Sequence, residues 1–221
     1  MDQFTRITEL LENATVCLVG NSVEMLDHYN AEYIDGHDVV IRLGRGIPHR
    51  HNEQIGKKMD IWATGFLRHK TWNKFPASWK CTPVLLNRTR INLNSARSIE
   101  VEMPHCTMFS DDEPLEIYKE FGYVNNELLG RPSNGFIVLL WLIRKAWVWN
   151  SLTLIGFDFF SKQAPFQVGQ QNPFSWHLPK NTTDEIPHNV AIEKEFVLEL
   201  ANEGTIHWEI LSDLENEILE F

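Results

Sequence analysis

Cysteine is scarce in this chain of 221 residues: there are three, Cys17, Cys81 and Cys106. So sparse and odd a set does not build the disulfide framework of a small secreted domain, and it points to a reducing compartment. Basic residues are also short, with 20 Lys and Arg against 30 Asp and Glu and a net charge of -10. A bulk field of that sign repels nucleic-acid phosphates and anionic lipid, which excludes a general nucleic-acid or membrane binder and leaves room only for a local small-anion site. The longest apolar run, from Phe136 to Ile143, is closed by Arg144 and Lys145, far short of the roughly 20 residues a membrane helix needs. The amino terminus, MDQFTRITELLEN, is amphipathic and has no signal-peptide core. The expectation is therefore a cytoplasmic protein with no transmembrane segment, free to work beside a membrane. Repeats, low-complexity tracts and Pro/Gly/Ser linkers are absent too, so 1–221 reads as one domain.

Several catalytic signatures are missing as well. There is no G-x-G-x-x-G, since Gly20 is followed by NSVEM, and no Walker loop. The H-E-x-x-H and paired-Cys motifs of zinc sites do not occur, nor does the D-x-D spacing by which many nucleotide-sugar transferases hold a divalent ion. No G-x-S-x-G offers a serine nucleophile. The acidic cluster Asp111-Asp112-Glu113 before Pro114 fits a helix amino terminus.

What is present is an alternation of short apolar runs with helical stretches. Ala14–Val19, Asp38–Leu43, Met59–Thr64, Pro83–Leu86, Leu152–Ile155 and Thr205–Ile210 read as strands; 4–13, 113–121, 134–148, 189–201 and 213–220 read as helices. This order predicts an α/β fold with a mostly parallel central sheet flanked by helices. Ligands of such sheets bind beyond the carboxyl ends of the strands. Residues 162–187, rich in Gln, Asn, Pro and aromatics, form a stretch too long and aperiodic for an ordinary connection, and they read as an active-site lid.

Three places carry candidate chemistry. Gly20-Asn21-Ser22 follows a buried strand, where a glycine permits a tight turn and Ser22 or Asn21 can cap the next helix. Its free N–H groups would suit a phosphate, although an ordinary strand-to-helix turn looks the same. Arg131-Pro132-Ser133-Asn134-Gly135 makes a second helix start ahead of the apolar core helix, and Gly156 ends the strand after it. The pair suggests a nucleotide cradle. His177, on the lid, and His188, at its exit with Glu193 beyond, titrate near neutrality and suit an acid–base pair, but the chain has nine histidines and position alone does not single these out. Trp72, Trp79 and Trp176 suit either stacking on sugar rings or core packing.

In this order the segments resemble the animal-type sialyltransferase family, whose animal members work in the Golgi. Val16–Gly65 (VCLVGNS, IDGHDVVIRLGRG, GKKMDIWATG) is similar to its large sialyl motif, and Arg131–Phe157 (RPSNGFIVLLWLI, SLTLIGF) to its small one. Phe174-Ser175-Trp176-His177 resembles the third motif, and His188 to Glu193 the very small motif. Each motif alone is weak, but the ordered set spans nearly the whole chain. The resemblance implies a single-domain glycosyltransferase fold, a GT-A-like variant. It also implies a CMP-sugar donor, a glycan acceptor, and metal-independent transfer of sialic acid with inversion, needing no cofactor and no nucleic-acid partner.

Carried over by residue, Asn21 and Ser22 would contact the donor phosphate or ribose. Ser133, Asn134 and Gly135 would hold the ribose and cytidine, with Gly156 closing the base pocket. His177 would support the departing phosphate, His188 would deprotonate the acceptor hydroxyl, and Glu193 would be an orienting or structural partner. The chain also departs from the family. The family has Asn two residues after the Arg of its large motif, whereas Arg42 is followed by Leu43 and Gly44. Arg42 or Arg45 then stands as the replacement phosphate contact. Cys17 matches one partner of the animal enzymes' disulfide, but the other position is Trp149. Together with the missing anchor and stem, this implies a short soluble bacterial or viral member. Two other readings remain open: a transferase for another CMP-activated acidic sugar such as Kdo, and a nucleotide-binding module without catalysis.

Overall fold

The apolar runs at 15–19, 39–43, 61–64 and 151–155 are buried almost throughout, as strands at the centre of a parallel sheet must be. A computed structural model describes residues 3–44, 46, 51–64, 84–86, 106–108, 132–159 and 190–209. The strands are β1 (Thr15–Val19), β2 (Val39–Leu43), β3 (Ile61–Thr64), β4 (Val84–Leu86), β5 (Cys106–Met108), β6 (Ser151–Ile155) and β7 (His207–Glu209). They form one seven-stranded sheet in the order β5-β4-β3-β2-β1-β6-β7. Every neighbouring pair is parallel.

Side-chain alternation divides the core between the two faces. Val16, Leu18, Val39, Ile41, Ile61, Leu152 and Leu154 pack under α1 (Gln3–Leu11), α4 (Asn134–Arg144) and α5 (Val190–Asn202). The other phase, Cys17, Val19, Val40 and Ile155, packs against Met25 of a 3₁₀ turn (Val23–Leu26), Ile34 of α2 (Ala31–Asp35) and Ile55 of α3 (Asn52–Ile55). Helix α4 is buried from Gly135 to Leu142, which explains its lack of a polar face. It stops at Arg144 rather than 148: the Lys145 and Ala146 N–H groups both reach the Trp141 carbonyl, and the chain turns into β6. Trp149 is buried behind that turn, donating from Nε1 to the Leu142 carbonyl at 3.2 Å, and Cys17 is a buried free thiol.

The strand order fixes where a ligand belongs. From β1 the chain adds strands outward to β5, then returns to the other side of β1 for β6 and β7. Strand direction of travel thus reverses between β1 and β6, and the crevice beyond their carboxyl ends is the topological switch point. Among the described residues no helix is long and apolar enough to cross a membrane. The expected helices 113–121 and 213–220 and the expected lid 162–187 lie outside the described residues.

Candidate functional site at the carboxyl ends of the strands

Four strand ends and the start of α4 converge on the switch point. After β1 the Gly20 N–H donates to Ile155 O at 2.8 Å, and the Ser22 N–H donates to Gly156 O at 3.1 Å, so the exits of β1 and β6 run side by side. A Cβ on Gly20 would overlap the Gly156 carbonyl, so no other residue allows this approach without backbone movement. Gly156 itself has φ +72°.

Asn21 and Asn134 occupy the crevice in matching ways. Asn21 Nδ2 donates to Leu43 O at the end of β2 (3.0 Å), and Asn134 Nδ2 donates to Ala63 O near the end of β3 (3.3 Å). In each, Oδ1 is buried and has no hydrogen-bond partner among the described residues. Gly46 lies directly against Asn21, where a Cβ would overlap the amide oxygen. The turn after β2 is held by Gly44 N–H to Ala63 O (2.8 Å) and by the buried Trp62, whose Nε1 donates to Gly44 O at 2.6 Å.

The start of α4 is largely satisfied by the protein's own groups. Ser133 is the cap, its Oγ accepting from the Phe136 N–H at 3.1 Å. Its own N–H donates to Oε1 of Glu193 at 2.6 Å, a buried carboxylate from the first turn of α5. Glu193 therefore joins the starts of the two helices, and a negative charge at a helix start is electrostatically favoured. Gly135 faces Phe157 and Leu43, leaving no room for a side chain there.

Of the sequence-derived candidates, the fold brings together Asn21, Ser22, Ser133, Asn134, Gly135 and Gly156, with Glu193 behind them. Ser22 is engaged differently from the expectation: it is buried, its Oγ accepts from the Glu24 N–H at 3.3 Å and donates to Asp158 Oδ2 at 3.1 Å. Asp158, two residues past Gly156, was not among the candidates, because nothing in the sequence shows that the exits of β1 and β6 are neighbours.

Arg42 is the expected donor contact that the structure places elsewhere. It shares a phase with Val40, on the face covered by α2 and α3, and is fully buried. Nε donates to Lys58 O at 3.0 Å and Nη2 lies 3.9 Å from Asp35 Oδ1, groups that precede β3 and β2. The guanidinium thus points toward the amino ends of the strands, away from the crevice. Both Nη atoms are buried without hydrogen-bond partners among the described residues. Burial lowers its pKa to about 10, opposed by Cys17, Asp35 and Asp60, and burial raises the Cys17 thiol to about 12 against the pull of Arg42. His177, His188, Arg45, Trp72, Trp79 and Trp176 lie outside the described residues. Among the described residues no three His, Cys, Asp or Glu side chains come together to hold a metal ion.

No protein-family model matches the sequence, and no curated protein matches it. Solved structures do. A mammalian sialyltransferase in complex with Gal-beta-1-3GalNAc-ortho-nitrophenol is similar at a TM-score of 0.64 and 16% identity, over 91% of this chain and 71% of that one. The sialyltransferase CstII from Campylobacter jejuni, in complex with the substrate analogue CMP-3FNeuAc, gives 0.61 at 15% identity, over 90% of this chain and 82% of that one. The monofunctional alpha-2,3-sialyltransferase Cst-I of the same organism gives 0.58 at 16%, over 89% and 74%. The shared feature is the fold, a helix-flanked parallel sheet of the GT-A-like single-domain type.

Proposed function

We propose that this protein is a CMP-sugar-dependent glycosyltransferase that moves sialic acid from CMP-sialic acid to a glycan hydroxyl with inversion. One observation carries the reading: at the switch-point crevice the buried Oδ1 atoms of Asn21 and Asn134 have no hydrogen-bond partner among the described residues. Buried acceptors left unpaired in a native fold are satisfied by a bound water or by a ligand that donates to them, and the hydroxyls and amine of a cytidine nucleotide are such donors. The fold supports the choice of donor, since CstII structures hold CMP together with a trisaccharide acceptor, or CMP-3FNeuAc.

In this reading Asn21, Ser133, Asn134, Gly135 and Gly156 form the donor cradle, and Ser22 and Glu193 hold it in shape. His188 takes the acceptor hydroxyl proton as its oxygen attacks the anomeric carbon. The bond from that carbon to the phosphate oxygen breaks, and CMP leaves with the electron pair. Protonated His177 meets the charge that develops on the phosphate, so no divalent ion is needed. The test is CMP release from CMP-sialic acid in the presence of a glycan acceptor and EDTA. We expect turnover that survives EDTA, and a fall of about 10²–10⁴-fold in His188→Ala, the usual contribution of a general base, with CMP binding kept. Unchanged turnover in His188→Ala removes the base assignment. Turnover of CMP-Kdo alone moves the protein to another acidic sugar, and CMP binding without any turnover makes it a binding module.

A further inference from the structure

Among the described residues, the carboxylate of Asp158 is a crevice group outside both the sequence-derived candidates and the proposed cradle. It stands at the switch point itself, on the exit of β6, and is only partly buried. Its Oδ2 accepts the Ser22 Oγ proton at 3.1 Å. Because Ser22 Oγ already accepts from the Glu24 N–H, its proton is directed at Asp158, and the tether fixes where the carboxylate sits. An ionised carboxylate accepts hydrogen bonds and donates none. It repels a phosphate and attracts a group with two adjacent hydroxyls. Acidic side chains meet ribose hydroxyls in this way in other doubly wound sheets.

We infer that Asp158 is a specificity-determining residue that reads the ribose diol of the donor nucleotide; the assignment rests on the donor site proposed above. The nucleoside then lies over β1 and β6, with its diol at Asp158 and its phosphate directed away from that carboxylate. The Ser22 hydroxyl acts as a positioning group for Asp158 and makes no phosphate contact.

The test is calorimetric titration of the full chain and its Asp158→Asn variant with CMP and 2′-deoxy-CMP. Asn keeps the shape and an oxygen for Ser22. The parent should prefer CMP by at least about tenfold, the size of one charge-assisted hydrogen bond. Asp158→Asn should lose most of that preference while its CMP affinity falls toward the deoxy value. Equal loss for both ligands, or an unchanged ratio, overturns the inference. Ser22→Ala provides a second reading: releasing the tether should shrink the ratio without abolishing binding, and an unchanged ratio there contradicts the positioning role and, should Asp158→Asn not fold, the inference itself. Failure of the parent to bind any cytidine nucleotide is a separate result, which removes the donor site and this assignment with it.

Discussion

Replacing Glu193 with Ala should loosen the start of α4, and the loss can be sized from the structure. The carboxylate is buried and accepts the Ser133 N–H at 2.6 Å, so the variant leaves that N–H without its partner. A hydrogen bond to a charged group contributes about 1.5–3 kcal/mol, and stranding a buried donor adds to the loss, giving about 2–4 kcal/mol in all. For a domain of this size each kcal/mol moves the melting temperature by about 2–4 °C, so a fall of about 4–16 °C is expected. Glu193→Gln keeps an acceptor oxygen and sheds a buried charge, and should lose less than half as much. Thermal melts of the three proteins at pH 7 make the comparison, with CMP titration beside them, because Ser133 to Gly135 should move only in the Ala variant. An Ala variant melting within about 2 °C of the parent would refute the argument that this carboxylate holds the two helix starts together.

Further outcomes follow from the same contacts. Gly20→Ala should cost at least about 3 kcal/mol, since its Cβ meets the Gly156 carbonyl, whereas Gly204→Ala, at φ +72° with open space around it, should cost only about 1 kcal/mol; equal denaturation midpoints would contradict the close approach of β1 and β6. Asn134→Ala gives up one 3.3 Å bond and an orphaned oxygen, so it should weaken CMP binding by about tenfold with less than about 1 kcal/mol lost in stability; parent-like CMP affinity would break the acceptor pair. Arg42→Met removes a buried guanidinium whose two Nη atoms have no hydrogen-bond partner among the described residues, and should leave stability within about 1 kcal/mol of the parent or above it; a large loss in urea melts would show that the Asp35 and Lys58 contacts outweigh burial. Burial raises the Cys17 pKa to about 12 from 9.0, so the unfolded chain releases its proton first. This contribution is complete below about pH 9 and is lost as pH rises toward about 12, with a slope up to about 1.4 kcal/mol per pH unit; Cys17→Ala should flatten the alkaline stability curve, and an unaltered curve would contradict it.

The central strands were legible because each is a short apolar run long enough for a buried strand and too short for a helix. Strand β5 was not, since Cys106–Met108 is three residues between a Pro-His pair and an acidic cluster, with no alternation to read. Helices α2 and α3 were missed for a similar reason: one turn each, mostly polar, anchored by tertiary contact through Ile34 and Ile55 rather than by an amphipathic period. At the site, glycine after a strand marked the turns at Gly20 and Gly156, and the Arg131–Gly135 segment marked the start of the core helix. The partners did not show, because they are set by strand order: Leu43 O for Asn21, Ala63 O for Asn134, Asp158 for Ser22. Arg42 near a strand end looked like an anion contact. Period-two alternation instead puts it beside Val40, where Lys58 and Asp35 draw the guanidinium toward the opposite end of the sheet.

The donor site proposed here requires that the crevice between β1 and β6 take a cytidine nucleotide. Calorimetric titration of the purified protein with CMP, and with UDP, GDP and AMP as controls, tests it most directly. Saturable binding of CMP with one site per chain, and no comparable heat from the other three, is the expected result. No binding of CMP, or a preference for another nucleotide, would contradict it and leave the two amide oxygens without the ligand assigned to them.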